Sequence, residues 1–190
     1  MNIKRQDLYF ETARLVLRPL EVADYNVWRQ GFLDRKVQQH KYDQEDGAKL
    51  DCDVVCFENI VAQHKVMMEK DDLYIWAMFD KKGNHIGMLN IVTIARGHFE
   101  WCELGYYVHN QFWRNGYAAE GVQAVLQLAR DVLKFHRVEA HVNLDNHASQ
   151  RLLEKLGFTY ECIRKGFIYE FDAWTDNKVY AMNLHDIAPE

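Results

Sequence analysis

The chain has 190 residues, of which 48% are apolar and 13% aromatic, and its net charge is −5. This length suits one domain with a sizeable core, and the apolar fraction excludes a disordered or low-complexity chain. Because no basic stripe accompanies the acidic balance, we expect no nucleic-acid ligand. The N-terminus lacks the apolar stretch of a signal peptide, and no apolar run approaches the length of a membrane span. The sequence therefore predicts a cytoplasmic protein without a membrane partner.

The cysteines show neither a CxxC pair nor paired histidines; they are Cys52, Cys56, Cys102 and Cys162. This spacing predicts reduced thiols, with neither a disulfide nor a metal site. Reduced thiols in turn agree with a cytoplasmic location.

The first part of the chain predicts one strand, two helices and an irregular segment. Residues 8–20 contain an alternating apolar and polar run that is typical of a strand, closed by Pro19. Residues 21–32 and 52–70 carry apolar side chains at helical spacing. Residues 33–50, between the helices, are charged and poorly periodic, which predicts an irregular surface segment of the kind that shapes binding sites.

The middle of the chain predicts three strands in a meander. Residues 73–79 and 86–95 are rich in apolar and β-branched side chains, and the DKKGN sequence between them is typical of a hairpin turn. A second turn leads into a strand at residues 101–108. That strand runs into a short polar loop containing Gly116, and a helix of about 17 residues follows the loop.

The last part of the sequence predicts three more strands, at residues 137–142, 158–169 and 171–184. It also predicts a short helix at residues 146–156, which Gly157 ends. The full order predicts a mixed sheet flanked by helices, with a βαβ crossover at its centre.

The loop before the long helix has the features of an anion site. The first N–H groups of a helix have no internal partner and lie at the positive end of its dipole. Small residues at Gly116, Ala118 and Ala119 leave room for a phosphate to approach these groups. A glycine between a strand and a helix is also a routine turn, and neither a Walker A loop nor the Rossmann glycine spacing is present.

Three stretches resemble, in order, the acetyl-CoA-binding core of the GCN5-related N-acetyltransferases (GNAT): residues 103–106 (ELGY), 113–120 (WRNGYAAE) and 146–158 (NHASQRLLEKLGF). Residues 12–18 and 176–182 also resemble the RimJ/RimL branch, whose members acetylate ribosomal-protein N-termini. The resemblance implies a single domain over residues 1–190 with a core at 9–184. It also implies the α/β (α+β) GNAT fold, a mixed central sheet of about seven strands flanked by about four helices.

The resemblance further implies acetyl-CoA as cosubstrate, with no metal. In this family the free edge of the strand before the loop binds pantetheine; the matching residues here are Tyr106, Tyr107 and Val108. The pyrophosphate is expected on the loop that Trp113 opens, at Arg114, Asn115, Gly116, Tyr117 and Ala118. Trp113 departs from the family's usual Gln or Arg, but this change leaves the backbone of the loop intact. Asn146 is a good N-cap, and the family pattern adds a contact from Asn146 to the pantetheine arm.

The reaction that the resemblance implies needs a neutral amine and a proton donor for the departing thiolate. We predict that Glu103, on the strand beside the expected thioester, is the general base, directly or through water. Glu100 is the alternative base, and Glu103 could also be an ordinary solvated strand glutamate. Many family members have a tyrosine acid at the position of Leu153, so Ser149 is the acid that we predict here.

Two classes of function remain open from the sequence. One is an N-acetyltransferase that moves the acetyl group to a protein N-terminal amine or a small-molecule amine by direct attack in a ternary complex. The other is a CoA-binding or regulatory domain without turnover. An acceptor pocket is expected around Trp28, Tyr42, Tyr169 and Trp174, and the long aromatic C-terminal strands are compatible with a homodimer.

Overall fold

The computed structural model describes residues 3–43 and 51–185. These residues form eight strands and four α-helices: β1 Phe10–Glu11, β2 Leu15–Arg18, α1 Tyr25–Leu33, α2 Val54–Glu69, β3 Leu73–Asp80, β4 His85–Ala95, β5 Trp101–Val108, α3 Tyr117–Asp131, β6 Arg137–Asn143, α4 His147–Lys155, β7 Thr159–Glu170 and β8 Ala173–Asn183. Short 3-10 turns precede or connect them at Arg5–Leu8, Val22–Asp24 and Asn110–Phe112.

All eight strands form one sheet in the order β1-β2-β3-β4-β5-β6-β8-β7. The mixed α/β fold is confirmed, and the sheet has one strand more than the sequence predicts. The extra strand arises because the predicted strand at residues 8–20 turns back on itself. Thr12 closes that turn, since its N–H donates to the Leu15 carbonyl at 2.9 Å and its hydroxyl accepts the Leu15 N–H at 2.8 Å.

The centre of the sheet opens between β5 and β6, the only parallel pair among the strands of residues 3–43 and 51–185. The two strands pair only from Trp101 with Arg137 to Glu103 with Glu139. Beyond Glu103 the strands separate, so the second half of β5 keeps a backbone edge that β6 does not use. This opening is the place where a ligand chain can lie against the sheet.

Two apolar clusters cover the two faces of the sheet. On one face α3 and α4 contribute side chains such as Val122, Val125 and Leu153 to the larger cluster. On the other face Trp28 of α1 and Phe57 of α2 pack in the smaller cluster. Because side chains alternate along a strand, neighbouring residues of β5 project into different halves of the molecule.

The segment after α1 is mostly exposed and irregular in its described residues, as predicted, but two of its charged side chains are buried. Arg35 and Asp43 are buried at 8% and 5% exposure, and their side chains form an ion pair. Asn110 closes the same cluster: its side-chain amide donates to Asp43 at 2.9 Å, and its side-chain oxygen accepts the Lys36 N–H at 2.7 Å. Buried charges are retained where they are paired, which explains how these two charged side chains are accommodated inside an otherwise exposed segment. Residues 44–50 of the predicted segment lie outside the described residues.

A disulfide joins Cys52 and Cys56, so the prediction that both thiols are reduced was wrong. Asp53 caps α2 by accepting the Cys56 N–H at 2.8 Å, and this first helical turn brings the two Cα atoms to 5.3 Å. That separation is within the normal range for a disulfide. Within the described residues, no helix has both the length and the apolar character needed to cross a lipid bilayer.

Candidate functional site

An open cleft of about 300 Å³ lies where the second half of β5 parts from β6. It is lined by Val108, Phe112, Trp113, Arg114, Gly116, Tyr117, Ala118 and Ala119, and on the α4 side by Ala148, Leu152 and Lys155. One wall is therefore the loop that leads into α3, and the other is a face of α4 that runs from Ala148 to Lys155. The Lys155 ammonium adds a positive charge to this end of the cleft.

The loop before α3 presents its N–H groups to this cleft. Gly116, the N-cap of α3, has φ +79°, and Arg114 has φ +64°. Within the described part of the chain, the N–H groups of residues 114–118 have no acceptor. The loop thus combines unpaired backbone donors with the positive end of a helix dipole, which is the standard arrangement for binding phosphate.

Side chains hold the carbonyl groups of the same loop. The Asn115 amide donates to the Phe112 carbonyl at 3.0 Å and to the Trp113 carbonyl at 3.2 Å. Arg14 donates to the Asn115 carbonyl at 2.8 Å. With its carbonyls occupied from behind, the loop keeps its N–H groups pointing toward the cleft.

Glu120, in the first turn of α3, ties this loop to the turn between β1 and β2. It accepts hydrogen bonds from the Thr12 hydroxyl at 2.5 Å, the Arg14 N–H at 2.9 Å and the Arg14 side chain at 2.6 Å. Burial alone would raise the pKa of Glu120, but the bonds from Thr12 and Arg14 outweigh burial and lower it. The carboxylate is therefore charged at neutral pH, and it fixes the position of Arg14.

On the α3/α4 face of β5, the Tyr106 hydroxyl lies 2.7 Å from the Ser149 hydroxyl. Burial raises the pKa of Tyr106 to about 12, so its hydroxyl keeps its proton at neutral pH. Asn146 caps α4 by accepting the Ser149 N–H at 3.2 Å, which orients the first turn of that helix. Leu153 is fully buried in the core.

On the opposite face of β5, the Glu103 carboxylate lies 3.0 Å from Nδ1 of His141, although the two groups are not aligned as a hydrogen bond. The Glu103 side chain is 32% exposed, whereas that of His141 is 3% exposed. The carboxylate therefore reaches solvent at the point where β5 and β6 separate, with the imidazole behind it.

Arg164 and Glu139 surround the other imidazole nitrogen. An Arg164 nitrogen lies 2.8 Å from Nε2 of His141, and the Glu139 carboxylate lies 3.2 Å from the same atom. A guanidinium group can only donate and a carboxylate can only accept, so Nε2 accepts in the contact with Arg164 and donates in the contact with Glu139. The neutral tautomer that accepts from Arg164 carries its ring proton on Nδ1. That proton then has the Glu103 carboxylate as its nearest acceptor.

Glu139 is buried between two arginines. Arg137 donates to it at 2.7 Å, and Arg164 donates to it at 3.0 Å. Burial would raise the pKa of Glu139, but the bonds from Arg137 and His141 and the charge of Arg164 lower it. The group behind His141 is thus a charge-compensated cluster, which buried carboxylates require.

The profile of the acetyltransferase (GNAT) domain matches residues 14–159. The chain belongs to this family. It is 31% identical over 123 residues to the "Probable N-acetyltransferase YjcK" of Bacillus subtilis (strain 168), over 64% of this chain and 68% of that protein. It is 27% identical over 117 residues to the ribosomal protein uS5-alanine N-acetyltransferase of Escherichia coli (strain K12), over 61% of this chain and 60% of that protein.

Solved structures agree in fold. Mycobacterium smegmatis RimJ in complex with CoA-disulfide has a TM-score of 0.76 and 22% sequence identity, over 89% of this chain and 81% of that one. The family assignment made from the sequence is confirmed: the chain is an N-acetyltransferase of the RimJ/RimL-like branch.

Several predicted site residues of this acetyltransferase meet at the β5–β6 opening. Trp113 to Ala118 form one wall of the cleft, and Asn146 and Ser149 lie at the start of the helix opposite. Glu103 lies at the point where strand pairing ends.

The three predicted edge residues are not equivalent. His109 donates its N–H to the Ile86 carbonyl on β4 at 2.9 Å. Because backbone groups alternate sides along a strand, those of Tyr107 also face β4, and those of Tyr106 and Val108 face the opening. The Val108 carbonyl already accepts the Trp113 indole N–H at 2.7 Å. Of the three residues, Tyr106 therefore has the backbone groups most available to a ligand in the opening.

The alternative base and three of the four expected acceptor aromatics lie outside the cleft. Glu100 accepts from the Arg96 side chain at 2.8 Å and from the Gly97 N–H at 2.9 Å in the turn before β5. Tyr169 and Trp174 pack against each other at 61% and 66% exposure. Tyr42 contacts Asp145 outside the cleft.

Two site residues escaped prediction from the sequence, His141 and Lys155. The pattern at residues 137–143 predicts a strand and gives no sign of what its side chains touch. One signal was available: Arg137, Glu139, His141 and Asn143 alternate with apolar residues, and four polar side chains on one face of a central strand are typical of a functional surface.

Proposed function

We propose that this acetyltransferase moves the acetyl group of acetyl-CoA to a primary amine by direct attack in a ternary complex. One observation carries the proposal: a single opening between β5 and β6 joins the unpaired N–H groups of the α3 loop to Glu103 on one side and to the Tyr106–Ser149 pair on the other. The names of the relatives support it, since one acetylates a protein alanine and a neighbour of the same fold was solved with a CoA disulfide.

The loop of residues 114–118 would hold the pyrophosphate through its backbone N–H groups, with the Arg114 side chain and Lys155 adding positive charge. Pantetheine would then follow the free edge of β5. Tyr106 offers backbone groups there, and Asn146 and Ser149 face it from α4. This direction of binding brings the thioester toward the point where the strands rejoin, at Glu103.

Glu103 would take a proton from the acceptor ammonium group, directly or through a water molecule. The freed lone pair forms the new C–N bond at the thioester carbonyl carbon, the C–S bond breaks, and sulfur leaves with the electron pair. The nitrogen loses its second proton to solvent as the amide forms. Ser149 would donate a proton to that sulfur, with the Tyr106 hydroxyl placed to replace it. His141 would position the Glu103 carboxylate, because its Nδ1 lies 3.0 Å from that group.

Thiol release from acetyl-CoA, measured against a panel of primary amines and short peptides, tests this proposal. We expect release that depends on the amine, and an acetylated product 42 Da heavier than the acceptor, the mass that any acetyl transfer adds. Direct attack further predicts that enzyme mixed with acetyl-CoA alone shows no acetyl-enzyme by mass spectrometry. Acetyl-CoA binding without release for any acceptor would contradict the proposal and favour a CoA-binding domain without turnover.

A further inference from the structure

A second cavity, of about 450 Å³, lies on the α1/α2 face of the sheet. It is lined by Leu20, Trp28, Phe32, Ile60, His64, Leu73, Ile75, Met88, Leu89, Asn90, Val92 and Tyr107. None of these lining residues is Asp, Glu, Lys or Arg. Burial lowers the pKa of His64, so its imidazole is neutral at neutral pH. The cavity is therefore apolar and uncharged along its described walls.

The register of β4 and β5 places this cavity beside Glu103. Val92, which lines the cavity, is the cross-strand partner of Glu103, and directly opposed side chains lie on the same face of the sheet. Tyr107, another lining residue, projects from the same face of β5 as Glu103. An amine at the Glu103 carboxylate would thus have an apolar wall of this cavity beside it.

Asn90 lies between the apolar walls and the carboxylate. Its partner across the ladder is Gly105, where an added Cβ would lie 2.5 Å from the Asn90 side-chain oxygen. Glycine at this position therefore makes room for the amide. Among the described residues the Asn90 side chain has no hydrogen-bond partner, so both of its polar atoms can bind a ligand or water.

We propose that this cavity binds the apolar body of the acceptor, and that the acceptor is a primary amine on a hydrocarbon chain or a peptide whose first side chain is large and apolar. The inference rests on the proposed function and adds the acceptor class to it. Apolar walls gain free energy from burying hydrocarbon, and the single carboxylate at the edge matches one ammonium group.

The same features disfavour other acceptors. A polyamine would bring a second ammonium group into walls that carry no compensating carboxylate, at a large desolvation cost. An N-terminal alanine has one methyl group and would leave most of the cavity unfilled. The acceptor class thus differs from the alanine substrate in the name of the uS5 relative.

Straight-chain alkylamines from propylamine to octylamine test this inference, because they differ in hydrocarbon length and hardly in basicity. We expect kcat/KM for thiol release to rise about fourfold for each added methylene until the chain fills the cavity. Spermidine should be a poorer acceptor than hexylamine, and a peptide starting with leucine a better one than a peptide starting with alanine. A flat series, or preference for spermidine, would overturn the inference.

Two variants of α2 test whether the dependence on acceptor chain length arises in this cavity. Ile60 of α2 lines it, whereas Val66 on the same helix is 47% exposed and lies outside it. Ile60→Trp should abolish the dependence on chain length, and Val66→Trp should leave that dependence unchanged. If Ile60→Trp does not fold, Ile60→Ala should move the best acceptor to a longer chain. Retention of the wild-type chain-length profile in both Ile60 variants would contradict the cavity assignment.

Calorimetric binding of the same amines in the presence of CoA separates this inference from the proposed function. If affinity rises with chain length and Ile60→Trp removes the rise, but no amine gives thiol release, the proposed function fails and the apolar site stands. If release occurs without any dependence on chain length, the proposed function stands and the apolar acceptor class is wrong.

Discussion

The hydroxyl groups of Tyr106 and Ser149 lie 2.7 Å apart across the opening between β5 and α4. Tyr106 comes from the strand edge and Ser149 from the first turn of the helix, so the contact links the two walls along which pantetheine would pass. Burial raises the pKa of Tyr106 to about 12, which keeps this hydroxyl a proton donor at neutral pH. We therefore propose that this pair provides the proton that a departing thiolate needs.

Ser149→Ala should lower kcat by about 100-fold, the usual size of a general acid's effect. Tyr106→Phe should lower it by less, since Tyr106 acts through the serine. For that reason the double variant should be no slower than Ser149→Ala alone. Steady-state rates of thiol release check this, and multiplicative losses in the double variant would contradict it. Thermal unfolding is the control, because the Ser149 N–H that bonds Asn146 remains in the alanine variant.

His141 should act through the position of Glu103. His141→Asn retains a donor near the place of Nδ1, which faces Glu103, whereas His141→Gln retains one near Nε2, which faces Arg164 and Glu139. We expect the glutamine variant to lose about 10-fold or more in kcat and the asparagine variant to lose less. KM for acetyl-CoA should stay the same in both, and a change in that KM with unchanged kcat would argue against this role.

Gly116→Ala should weaken acetyl-CoA binding. Gly116 has φ +79°, a left-handed conformation that costs other residues about 1–2 kcal/mol, and relaxing it would turn the loop N–H groups away from the cleft. Gly97→Ala is the matched control, because Gly97 has φ +75° and open space around it, in a turn away from the cleft. Both variants should lose stability, but only Gly116→Ala should lose the rise in Tm that acetyl-CoA causes. An equal rise in both would contradict the proposed phosphate site.

Stability should fall in acid through the buried histidines His85 and His109, whose ring nitrogens lie 3.0 Å apart. Burial lowers the pKa of His85 to about 4, and burial also lowers that of His109. An unfolded histidine titrates near 6.5, so the unfolded chain takes up protons first as the pH falls from about 6.5 toward about 4. The free energy of unfolding should therefore decrease over that window and level off above it.

Urea unfolding at several pH values measures this slope. His85→Asn should reduce it, and part should remain because His109 titrates in the same direction. His98→Gln, at an exposed position, should leave it unchanged. A slope identical in wild type and His85→Asn would show that His85 does not cause the acid sensitivity.

The sequence predicts most strands and helices correctly because their patterns are local. β5 lies at residues 101–108 as predicted, and Asn146 caps α4 as its residue type indicates. Contacts between distant residues were not predictable in this way. The Tyr106–Ser149 pair, the His141–Glu103 contact and the burial of Arg35 with Asp43 depend on where the chain returns in space. Helical spacing also does not reveal that a turn starting at Cys52 brings Cys56 close enough for a disulfide.

We propose that Glu103 takes the proton from the acceptor amine. The most direct test compares amine-dependent thiol release by the Glu103→Gln variant and by wild type. Glu100→Gln is the matched control, since Glu100 is held by Arg96 in the turn before β5. We expect kcat/KM to fall at least ~10-fold in Glu103→Gln, a modest share of a general base's usual effect, and to stay near wild type in Glu100→Gln. Unchanged release in Glu103→Gln, or a loss confined to Glu100→Gln, would contradict the assignment of Glu103 as the base.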